Sequence, residues 1–161
     1  MASPLYKAAA IVGAAEADDI GFLETPKSSL QLHVEAIKNV SEQTGIPLSR
    51  IDGIFSTGWS SELCEHLGLR PKYIDTTACG GCSFEMHVHH AMAAIHAGII
   101  EVALISHGEN GFSSRKIGAK GRPSYGPGSG DASPAMEMTA HYGIASAPSA
   151  YAHAMVRHMH K

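Results

Sequence analysis

Cys79 and Cys82 flank a Gly80-Gly81 pair, and a long apolar run rich in histidine follows them. Residues 73–98 (YIDTTACGGCSFEMHVHHAMAAIHAG) are expected to form a short strand, a tight turn and a helix. The turn sets both thiols at the mouth of that helix. A helix N-terminus carries unpaired N–H groups and a partial positive charge, so a thiol there ionises more readily and becomes a better nucleophile. On that argument Cys82, nearer the helix, is expected to be the more acidic thiol. Gly80 and Gly81 lack the Cβ atoms that would block a substrate carbonyl. With Ser83 they offer a turn whose N–H groups could hold an oxyanion. The chemistry suggested is nucleophilic attack by a thiolate. His107, following an apolar run, is the candidate general base.

Other readings of the same residues stay open. A CxxC pair between a strand and a helix also suits a thioredoxin-like redox couple, or simply two small thiols lining a tight turn. Cys79, Cys82, His87 and His90 could supply four zinc ligands. Both histidines, however, lie more than a turn beyond the thiols, and no metal is expected. His33, His66, His141 and His153 read as surface or satisfied core residues, and His158 and His160 as solvated. Arg115, Lys116, Lys120 and Arg122 lie in a Gly-, Ser- and Pro-rich stretch, residues 108–130. Such cations could bind phosphates through charge-assisted hydrogen bonds, or belong to a solvated loop.

The elements that must position these groups alternate between strand and helix. Residues 7–12 (KAAAIV) read as a strand buried on both faces. Ser28 or Ser29 can cap a helix whose core face carries Leu30, Val34 and Ile37, and Gly45 can end it. Residues 53–57 read as a second strand, and Ser60 or Ser61 as the cap of a short helix stopped by Gly68. Residues 73–76 and 102–106 are the third and fourth strands. Within the helix after the thiols, Phe84, Val88, Ala91 and Ile95 mark one apolar face. Met86, Ala93 and Ala97 mark another, as in a helix packed on several sides. Two more helices are expected at residues 133–142 and 148–161. The pattern is that of an α/β domain with a mostly parallel sheet. Ligands of such sheets bind beyond the carboxyl ends of the strands, where both the thiol turn and His107 fall.

Composition excludes several classes of function. With 44% hydrophobic and 17% charged residues over 161 positions, the chain can bury a core. A net charge of -3 argues against a nucleic-acid partner. No apolar run approaches the ~20 residues of a membrane span. Three cysteines are too few for a disulfide scaffold, and a reducing cytoplasm is the simplest setting.

Several stretches together resemble the N-terminal half of a thiolase-fold protein. They are IVG near the start, IDGIFSTG, LGLRPKYIDTTACGGCSFEMHVHHAMAAIHAG, VALISHGE and SAYAHAMVRHMHK. More narrowly they are similar to the sterol-carrier-protein-type, or lipid-transfer, thiolase-like group. The resemblance implies an αβαβα fold of two similar halves. Residues 1–107 would be one βαβαβ core half, and residues 108–161 a loop and helical region. It also implies a Cys nucleophile at the start of a buried helix, coenzyme A bound partly by the inserted loop, and acyl-CoA as substrate. Arg115, Lys116, Lys120 and Arg122 would then meet the phosphates of coenzyme A. A dimer or tetramer is implied as well.

The chain departs from the family pattern at the decisive turn. An ungapped count back from Ala97-Gly98 places the family nucleophile at Gly81, beside Cys82. Members of the narrower group often carry a Gly-Gly-Ser-like turn without that Cys. Some cleave acyl-CoA side chains by retro-aldol chemistry with a small OB-fold partner. The nucleophile is therefore Cys82, favoured by its distance along the helix, or Cys79, or neither. An acetyl-CoA acetyltransferase-type enzyme of lipid metabolism, an aldol lyase and a non-catalytic acyl-CoA-binding subunit all follow from the resemblance. The family's second half also supplies a His and a Cys. The chain is thus expected to be part of a longer protein, or to work with a complementary chain.

Overall fold

The computed structural model describes residues 5–21, 23, 25, 27–110, 141–144 and 147–160. The chain divides into two compact units, Met1–Asn110 and Gly111–Lys161. The first holds α1 (Ser29–Thr44), a single 3-10 turn at Leu48–Arg50, β1 (Gly53–Phe55), α2 (Ser60–Leu67), β2 (Tyr73–Asp75), α3 (Ser83–His96) and β3 (Ala103–Ile105). The second holds α4 (Ala147–Met159).

The strands form one parallel sheet in the order β2-β1-β3. Ile54 lies opposite Ile74 on one side and Leu104 on the other. Alternation along β1 sends neighbouring side chains to opposite faces. Ile54 joins Val34, Ile37, Leu63 and Leu104 in a cluster with α1 and α2. Phe55 joins Ala91, Ala94 and Ile100 in a cluster with α3. The sheet is therefore sandwiched between helices, and β1, buried at every residue, is its centre. Asp52 ties the entry of β1 to that of β3. Its carboxylate accepts the N–H of Glu101 (2.9 Å) and Val102 (2.8 Å) and pairs with Lys72 (3.0 Å).

Local signals explain the helix ends. Ser28 caps α1 in a reciprocal box with Gln31, and Gly45 closes it in the left-handed conformation. Gly68 ends α2 the same way. The start of α2 differs from expectation: Trp59 occupies the cap position, and neither Ser60 nor Ser61 caps it. The buried Ser60 hydroxyl is turned inward, donating to the carbonyls of Ser56 (3.2 Å) and Asp75 (2.9 Å). Asp75 lies at the carboxyl end of an edge strand, and that bond anchors it to α2.

Two further expectations fail. Residues 7–12 do not form a buried strand: Ile11 is 84% exposed and Val12 69% exposed. Among the described residues no strand pairs with them, and without a ladder an apolar run has no sheet face to enter. The segment instead runs to α1, where Asn39 donates to the Glu16 carbonyl and the Asp18 carboxylate. Nor is α3 packed on several sides. Its buried stripe is Ser83, His87, Ala91 and Ala94, while Met86 and Val88 are exposed. The small alanines let the helix settle against Phe55, with Ile95 packed beside them and Phe84 half-buried, while Val88, Ala93 and Ala97 stay exposed. The expected helix at residues 133–142 lies almost wholly outside the described residues; His141 and Tyr142 stand in a turn.

Candidate functional site

β2 delivers its chain into the thiol turn through Thr76, Thr77 and Ala78. Gly80 takes φ +89°, a conformation open to glycine, so the chain can double back within one turn. No atom lies within 4 Å of a Cβ built at Gly80 or Gly81, so both face open space. Ser83 holds the turn together. Its hydroxyl accepts the Cys79 N–H at 2.9 Å and donates to the Gly80 carbonyl at 2.6 Å. The Ser83 N–H also donates to Gly80. Ser83, expected as part of an oxyanion turn, is thus fully buried and committed to backbone.

Both thiols are exposed, while Cys64 is buried. Cys79 Sγ and Cys82 Sγ lie 3.7 Å apart, and Met86 Sδ is 3.0 Å from Cys79 Sγ. The folded turn works against the acidity expected of Cys82. Its pKa is raised, first by its hydrogen bond with Cys79, then by the Cys79 charge, with Glu85 adding a smaller push. Two thiols this close titrate as a pair: once one is a thiolate, its charge holds the proton on the other. Burial likewise pushes the Cys64 thiol up.

His107 does not contact either thiol. Its ring packs edge-on against Phe84, in the first turn of α3, with centroids 4.8 Å apart. The carboxylate of Glu109 is 3.9 Å from its Nε2. His107 is held there by neighbours that sequence reasoning treated as plain core or missed. His33 is almost fully buried, bonds Ser106 through Nδ1 at 2.7 Å and meets the His107 ring at 6.3 Å. Burial, with the nearby His107 charge, lowers the pKa of His33 to about 4, so it is neutral near pH 7. A Cβ on Gly108 would lie 2.8 Å from the Ser29 carbonyl and 2.9 Å from the His33 N–H nitrogen. The chain leaving β3 can therefore lie flat on the start of α1 only with glycine there. The nearest sequence signal was the Ser-His-Gly order itself, which does not name a partner on α1.

A second polar cluster sits at the foot of the turn. The Asp75 carboxylate accepts the Thr77 N–H at 2.8 Å and pairs with His90 Nδ1 at 2.7 Å. Burial pushes its pKa up, but the bonds from Thr77 and His90 outweigh burial and leave it below the usual carboxylate value. His87, with no exposed surface, donates from Nε2 to the Thr77 carbonyl at 3.0 Å. These two histidines are thus engaged with Thr77 and Asp75 rather than with the thiols. A groove of about 720 Å³ opens between β2 and α3 past Ile74, Asp75, Thr77, His90 and Ala97; neither Cys79 nor Cys82 lines it. Arg115, Lys116, Lys120 and Arg122 lie outside the described residues.

The parallel sheet, its flanking helices and the strand-turn-helix bearing the thiols are those of a thiolase-like half-fold. Among solved structures the chain is similar to a monomeric SCP2-thiolase-like protein type 1 from Mycobacterium smegmatis, at 25% identity and a TM-score of 0.52. The likeness covers 71% of this chain and 26% of that one, so the chain spans about a quarter of the length of that protein. No protein-family model and no curated protein matches it. No helix among the described residues is long and apolar enough to cross a membrane.

Proposed function

We propose that the chain is part of a thiolase-like acyl-CoA acyltransferase whose acyl acceptor is a thiol of the Cys79–Cys82 turn. The observation that carries this reading is the exposed pair of sulfurs, 3.7 Å apart, at the N-terminus of α3 beyond the carboxyl end of β2. A thiolate attacks the thioester carbonyl, and the carbonyl electrons move to oxygen. The N–H groups of Cys79 and Ser83 are used within the turn, which leaves those of Gly80 and Gly81 as the turn donors for the oxyanion. Collapse expels the coenzyme A thiolate and leaves an acyl-cysteine. His107, one ring away from the first turn of α3, takes the proton of the attacking cysteine thiol and returns it to the leaving thiolate once substrate bridges the gap. Arg115, Lys116, Lys120 and Arg122 bind the phosphates of coenzyme A. The protein acts in the cytoplasm, as a homodimer or tetramer, or with a chain supplying the second half of the fold.

Incubation of the whole protein with acetyl-CoA, read by intact mass, tests this. An acetyl adduct mapping to Cys79 or Cys82 is expected, and its absence from both would sink the reading. For the loop, Arg115→Ala with Lys116→Ala is expected to weaken coenzyme A binding more than dephospho-coenzyme A binding; equal losses would point to misfolding.

The groove past Asp75 and His90, which neither thiol lines, favours a second reading, a thiolase-fold aldol lyase that forms no covalent intermediate and works with a small OB-fold partner. Replacing both Cys79 and Cys82 by Ser separates the two, since lyase activity would survive and acyl transfer would not.

A further inference from the structure

We infer that Cys79 and Cys82 form a reversible intramolecular disulfide, with a low-molecular-weight disulfide such as oxidised glutathione as the oxidant. Their sulfurs are already 3.7 Å apart, so a bond at about 2 Å asks the two atoms to close by less than about 2 Å. The two residues between them are glycines, Gly80 already at a positive φ, so no side chain restricts the backbone that joins the thiols. Both cysteines are exposed, so a tripeptide disulfide can reach either. Met86 Sδ lies 3.0 Å from Cys79 Sγ, a soft, polarisable neighbour for the new sulfur bond. Cys64 is buried on the opposite face of the sheet, among Ile54 and Leu63, and does not compete.

The exchange balances. One cysteine thiolate attacks a sulfur of oxidised glutathione, forming a mixed disulfide and releasing one glutathione thiolate. The second cysteine thiolate then attacks the protein sulfur of that mixed disulfide and releases the other glutathione. The two cysteines lose two protons and two electrons together; the oxidant gains them and becomes two molecules of reduced glutathione. The consequence for activity rests on the acyl-acceptor reading: the disulfide consumes both candidate nucleophiles at once, so oxidation silences the site and reduction restores it.

The test uses the whole protein, reduced and then equilibrated with glutathione mixtures of increasing oxidised fraction. Samples are acid-quenched, denatured, alkylated with N-ethylmaleimide and weighed intact. Uptake should fall from three labels to one, with no glutathione retained and the remaining label on Cys64. Cys79→Ser and Cys82→Ser should each instead hold one glutathione on the thiol left behind. Three labels throughout, glutathione retained by the wild type, or a bond linking two chains would overturn the disulfide. The oxidised form should take no acetyl group from acetyl-CoA and regain uptake after dithiothreitol; unchanged acylation would overturn the gating. A reduced protein that takes no acetyl group, yet still closes the bond, defeats the acyltransferase reading and leaves the disulfide standing.

Discussion

Ser83 holds Cys79 in place: its buried hydroxyl accepts the Cys79 N–H at 2.9 Å and donates to the Gly80 carbonyl at 2.6 Å. The thiol turn is therefore built by a side chain that never faces substrate. Ser83→Ala removes both bonds and leaves a donor and an acceptor without their partner. A loss of about 1–3 kcal/mol is expected, read as a lower urea midpoint in Trp59 fluorescence. An unchanged midpoint would mean that the turn holds itself.

His33 makes stability depend on pH. Its folded pKa is about 4 against an ordinary 6.5, because burial and the nearby His107 disfavour the cation. Between these values the unfolded chain binds more protons, so stability is present at neutral pH and falls as pH drops from about 6.5 to about 4. The fall is at most about 3 kcal/mol from this residue. His33→Asn, which can still bond Ser106, should flatten the profile over that window. A variant as pH-sensitive as the wild type there would show that His33 is not the source.

Gly108 and Gly81 should respond oppositely to the same change. Ala at Gly108 would drive a Cβ into the backbone of Ser29 and His33, at 2.8 and 2.9 Å, where no side-chain rotation can relieve it. A cost of about 1–3 kcal/mol is expected, together with displacement of His107. Gly81→Ala meets nothing within 4 Å, and its stability should match the wild type within about 0.5 kcal/mol. Equal effects at the two sites would contradict the close approach of the β3 exit to α1.

The thiols should be linked in their reactivity. Cys79 is the first cause of the raised Cys82 pKa, so Cys79→Ser should lower that pKa and speed alkylation of Cys82 by iodoacetamide near neutral pH. Cys64, buried and with its thiol pushed up, should stay unlabelled until the protein unfolds. A Cys82 rate indifferent to the loss of Cys79 would remove the coupling.

Much of this protein could be read from local sequence. Ser28, Gly45, Gly68 and Gly98 mark helix ends because capping and left-handed turns depend on a few adjacent residues. Gly80-Gly81 between a strand and an apolar helix located the thiol turn for the same reason. What needed the tertiary structure involves residues distant along the chain. The burial of α3 followed from how closely Ala91 and Ala94 approach Phe55, a matter of packing that a helical period alone does not rank. The exposure of Ile11 and Val12 followed from the lack of a pairing strand among the described residues, which no apolar run can announce. Helix position pointed to an acidic Cys82. Only the folded turn, setting Cys79 Sγ 3.7 Å away, reveals the opposing influence, because a thiol's charge depends on its nearest ionisable neighbour as well as on the backbone it caps.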